Sequence, residues 1–74
     1  MKKVHEYLVI IENSGTSFGA SSPDLPGCVA IAKTRREVKK LMKEAIKFHI
    51  EGLKADGLSI PVPQTKAEYM KITA

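Results

Sequence analysis

The residues best equipped for chemistry crowd into one short stretch. Pro23-Asp24-Leu25-Pro26-Gly27-Cys28 holds an acid and the only cysteine of the 74-residue chain. A thiol becomes a nucleophile only as the thiolate, which needs a base, a cation or a helix N-terminus beside it. Cys28 instead opens an apolar run, Cys28 to Ala32, and reads as a small buried hydrophobe. Pro23 and Pro26 each fix a backbone torsion, Asp24 can accept from backbone N–H groups one or two residues on, and Gly27 tolerates conformations that other residues resist. The stretch therefore reads as a corner of the fold.

The other candidates are sparser. His5 sits in a strand-like segment, and His49 lies in the middle of a helical apolar stripe with no second ligand at metal spacing. A metal-dependent nuclease needs several carboxylates converging on divalent ions. Glu6 and Glu12 point to the same side of one strand, but six residues separate them by roughly 20 Å, and Asp24 is in a loop. The residue pattern calls for no catalytic group, no metal and no cofactor. A single cysteine excludes an internal disulfide and suits a reducing, cytoplasmic setting. The basic N-terminus has an apolar run too short for a signal segment or a membrane span.

Charge gives the second lead. Twelve basic and eight acidic side chains leave a formal charge of +4. The excess lies between Thr34 and Lys54, where Glu37, Glu44 and Glu51 alternate with Lys40, Lys47 and Lys54 at seven-residue intervals as a solvated ladder of opposite charges. Arg35, Arg36, Lys39 and Lys43 remain in the first half of this segment. Positive charge there opposes the helix dipole, at a cost of about a few tenths of a kcal/mol per residue, so these four residues form a candidate surface for an acidic partner or for nucleic acid. Stacking aromatics for single strands are absent from that face.

These residues must be carried by a small set of elements. Val4 to Glu12 is β-branched and aromatic, Gly15 suits a hairpin turn, Ser17 to Ser22 places Phe18 and Ala20 on one face, and Cys28 to Ala32 is a third short strand. Thr34-Arg35-Arg36-Glu37 matches a helix capping box. From there Val38, Leu41, Met42, Ala45, Ile46, His49, Ile50 and Leu53 recur on one helical face until Gly57 offers a stop. Pro61 and Pro63 then forbid helix, and Tyr69 to Thr73 is expected to form a last strand, with a helical turn over Thr65 to Met70 as the competing reading. The expected class is α+β in the order β-β-β-α-β, a single domain over residues 1–74.

The first strand is apolar on both sides. Leu8 and Ile10 point one way and Tyr7, Val9 and Ile11 the other, whereas one helix covers one face. The Tyr7, Val9, Ile11 face is expected to meet another subunit or a partner protein, giving a dimer or tetramer. The alternative is that the C-terminal segment folds across it.

The hairpin closing near Gly15, the Pro23 to Cys28 corner, the Thr34 and Glu37 helix start, Glu44 to Leu53 (EAIKFHIEGL) and Ile60 to Pro63 (IPVP) together resemble the HicB family. The resemblance covers nearly the whole chain. It implies a truncated ribonuclease H-like domain lacking the nuclease carboxylates. It also implies the antitoxin half of a type II toxin–antitoxin pair, binding a HicA-like ribonuclease that cleaves mRNA and masking its catalytic surface. Many members carry a further DNA-binding domain, and none is expected before Ala74.

Overall fold

The structure, a computed structural model, describes residues 4–74. Three strands, β1 (Ile10–Asn13), β2 (Phe18–Ser21) and β3 (Val29–Ala32), form an antiparallel meander in the order β1-β2-β3, followed by one helix, α1 (Arg35–Ala55). This is the expected α+β class. Each turn is made by the residues that suit it. In the first hairpin Gly15 takes a φ of 94°, its N–H donates to Asn13 Oδ1 at 2.8 Å, and the Ser14 N–H donates to the Ser17 carbonyl at 2.9 Å. In the Pro23 to Cys28 corner the Leu25 and Cys28 N–H groups donate to the Ser22 and Leu25 carbonyls, both at 3.1 Å.

The helix begins and ends as its sequence directs. Thr34 is extended (φ −126°, ψ 155°), and its Oγ1 accepts from the Glu37 N–H at 3.1 Å, satisfying one of the N–H groups that have no partner within the helix. At the other end the Leu58 N–H donates to the Leu53 carbonyl at 2.8 Å and the Gly57 N–H to the Lys54 carbonyl at 3.1 Å. This pair of bonds is a Schellman cap, which requires a left-handed residue, and Gly57 supplies it with a φ of 68°.

Register decides which side of the sheet the helix covers. Ile11 pairs with Ala20 and Ala20 with Ala30, while Asn13 pairs with Phe18 and Phe18 with Ala32. Paired residues share a face, so Ile11 lies on the side of Phe18, Ala20 and Ala32. That is the helix side. The helix crosses over β3 and β2, where the small side chains of Ala20, Ala30 and Ala32 admit it closely. Val38 and Met42 from its first half are buried there with Leu25 and Cys28 from the corner.

Three expectations are corrected here. Tyr7, Val9 and Ile11 pack against this core, so they do not form the face turned away from the helix. That face carries Ile10, Val29 and Ile31, which are 42, 61 and 72 % exposed, with only Gly19 and Ser21 of the middle strand between them. The first strand is also shorter than expected, because β2 ends opposite Ile10 and leaves residues 4–9 beyond the ladder. Finally, residues 59–74 hold neither the expected strand over Tyr69 to Thr73 nor the helical turn over Thr65 to Met70. A strand needs a neighbour to hydrogen-bond with, and the tail has none among the described residues.

Candidate functional site

Because the helix lies over β3 and β2, the inner side of β1 is left beside it and not beneath it. The result is a groove of about 520 Å³. Val9 and Ile11 from the strand and Met42 and Ile46 from the helix give it an apolar lining, and Lys39 and Lys43 border it. The two sets of residues singled out in the sequence thus meet in one place. Tyr7, Val9 and Ile11 form one wall, and two of the four basic residues form the opposite rim. Arg35 and Arg36 lie one helical turn earlier, exposed at the helix start.

The chain's own C-terminal segment reaches one of the groove's lining residues. The Tyr7 hydroxyl donates to the Pro61 carbonyl at 2.6 Å, and the His5 ring stacks on the Tyr7 ring at 6.2 Å between centroids. Burial, with a further contribution from the Asp24 charge, raises the Tyr7 pKa, which keeps the phenol protonated as the donor this bond needs. Asp24 does not serve the corner as expected. Its carboxylate accepts from the Gln64 and Thr65 N–H groups, both at 3.1 Å, and from the Thr65 hydroxyl at 2.8 Å. The Thr65 backbone and hydroxyl bonds, with the Gln64 N–H behind them, lower its pKa. An ionised acceptor of three donors forty residues away is a clamp, and it fixes where the tail leaves the domain.

Cys28 has a different setting. It lines a second hollow of about 400 Å³ together with His49, Gly52 and Asp56, a set that resembles the parts of a thiol nucleophile. Burial pushes the thiol pKa up, which favours the unreactive form. Cys28 is therefore a core residue. Among the described residues no three of His, Cys, Asp and Glu come together as a metal site, and no helix is long and apolar enough to cross a membrane.

Sequence reasoning missed the Asp24 clamp. The only local signal was an acid in a turn, and its partners lie beyond the helix. It also missed the joining of the lysines to the strand residues, which requires knowing which side of β1 faces the helix.

A meander with one helical cover and a lysine-bordered apolar groove beside its first strand describes a small α+β domain. The chain matches the model of the HicB-like antitoxins of bacterial toxin–antitoxin systems over residues 7–73, and it belongs to that family. It is similar to an uncharacterized 14.9 kDa protein encoded in the rep-hol intergenic region of Haemophilus phage HP1, with 36 % identity over 64 residues. That match takes in 86 % of this chain, which spans about half (48 %) of the phage protein. It is also similar to UPF0150 protein Ta0767 of Thermoplasma acidophilum, with 39 % identity over 57 residues, 76 % of this chain and 83 % of the archaeal one. No solved structure gives a significant match.

Proposed function

We propose that this chain is the non-enzymatic, cytoplasmic antitoxin of a type II toxin–antitoxin pair, and that it neutralises a HicA-like mRNA ribonuclease by covering its catalytic surface. The observation that carries the reading is family membership over residues 7–73. The structure supports it with apolar surface that a lone chain leaves in water: the groove beside β1 and the Ile10, Val29, Ile31 face. Association with further copies of the chain is part of the same proposal.

The test is co-expression with the small protein encoded next to it. The neighbour alone should arrest growth, the pair should not, and the two should purify together. A neighbour that is harmless and is not captured refutes the reading.

A second reading follows from the exposed Arg35 and Arg36 at the helix start, with Lys39 and Lys43 behind them, as a phosphate-binding surface. Titration against duplex and single strands at two salt concentrations checks it, since phosphate contacts weaken as salt rises.

A further inference from the structure

The tail beyond Thr65 and the groove beside β1 each lack what the other offers. Residues 66–74 are exposed throughout, including Tyr69, Met70 and Ile72, although Tyr69-Met70-Lys71-Ile72-Thr73 has the aromatic and β-branched composition of a strand. They also project. The radius of gyration is 14.3 Å, against about 11 Å for a compact chain of this length. The longest dimension is 49 Å, whereas a 21-residue helix accounts for about 31 Å. On the other side, β1 is an edge strand, and an edge offers unpaired N–H and C=O groups as a template for another strand.

We infer that residues 66–73 of one chain add as a fourth strand to the free edge of β1 in a second copy, with the exchange reciprocated across a two-fold axis. Charge and pattern select the side that would enter the groove. In an extended segment alternate residues share a face, so Lys66, Glu68, Met70 and Ile72 lie on one side and Ala67, Tyr69, Lys71 and Thr73 on the other. The first set matches the groove: Met70 and Ile72 meet the apolar lining of Val9, Ile11 and Ile46, Glu68 meets the rim of Lys39 and Lys43, and Glu6 of the same lining is available to Lys66. The observation that points to a second copy is that, beyond its anchors at Pro61, Gln64 and Thr65, the tail is exposed throughout and is in no strand with its own β1. Each copy then has a vacant β1 edge beside the groove and an unplaced strand, and two copies satisfy both, a closed arrangement at that edge. The inference specifies the self-association proposed above and is independent of toxin binding.

Three measurements on the full chain test it. Light scattering at high micromolar concentration should give twice the single-chain mass of 8.1 kDa. The double variant Met70→Asp, Ile72→Asp should halve that mass with helical circular dichroism unchanged, and Glu68→Lys should weaken the dimer by about tenfold through repulsion from the lysine rim. In a mixture of differently labelled chains, nuclear Overhauser effects from the Ile72 methyls to those of Val9 and Ile11 should arise only between chains. A single-chain mass, a double variant that keeps the dimer mass, or the same effects within one chain each overturn the inference. Toxin capture is read separately, so loss of toxin binding with the exchange intact refutes only the antitoxin reading.

Discussion

The two halves of the sheet are finished differently. Over β2 and β3 the helix seats Val38 and Met42 on a floor of alanines, and the corner adds Leu25, so that these three larger side chains are fully buried. Along β1 the same helix only passes alongside, and Tyr7, Val9 and Ile11 stay half-buried in a groove bordered by lysines. One helix about 10–12 Å across spans roughly two strands at 4.8 Å spacing. A three-stranded sheet beneath one helix must therefore leave a strand short of cover. Stability is concentrated where the cover is complete, and surface for binding remains where it stops.

Mutations can test that division. The largest loss is expected in the sealed half, where Leu25→Ala or Met42→Ala should cost about 2–5 kcal/mol through lost burial and the cavity left behind, read as a fall in the midpoint of urea unfolding. At the junction of the halves, Tyr7→Phe removes the bond to the Pro61 carbonyl and should cost about 1 kcal/mol. Amide exchange should then quicken in residues 62–65 while the helix keeps its protection. Acid should loosen the same junction. The Asp24 carboxyl has its pKa lowered in the folded state, so its contribution is fully present above the ordinary carboxylate pKa and is lost as pH falls through the depressed value. Amide signals of Gln64 and Thr65 followed down the pH scale should report release at that point, and Asp24→Asn should flatten the response.

The smallest effects should come from residues that neither half uses for cohesion. The Ser22 hydroxyl is buried with no hydrogen-bond partner among the described residues, so Ser22→Ala removes an uncompensated polar group and should be neutral or slightly stabilising. On the outer face, Ile31→Thr should change unfolding by no more than about 0.5 kcal/mol. If it costs as much as a core substitution, that face is covered.

Legibility in the sequence followed the range of the interactions. The helix start at Thr34, its stop at Gly57 and the turn at Gly15 depend on bonds between residues at most five apart, and all three could be placed in advance. The strands were recognised but drawn too long, because composition marks a segment that is able to pair and not the point where its partner ends. Assigning Tyr7, Val9 and Ile11 to the outer face failed because β1 is apolar on both sides and its own alternation is ambiguous. The pairing of Ile11 with Ala20 resolves it. The basic residues Arg35, Arg36, Lys39 and Lys43 were identified from their position against the helix dipole, but nothing local could show that Lys39 and Lys43 border an apolar groove.

The sequence by itself determined the three-strand meander and its helix, their order, the caps and the family, because periodicity and short-range hydrogen bonding are written into neighbouring residues. Only the tertiary structure decided which face of β1 the helix meets, that Asp24 holds Thr65, and that a groove lies open beside an edge strand. Those features depend on register and on contacts forty or more residues apart, where side-chain pattern along the chain carries no information about what comes to lie opposite.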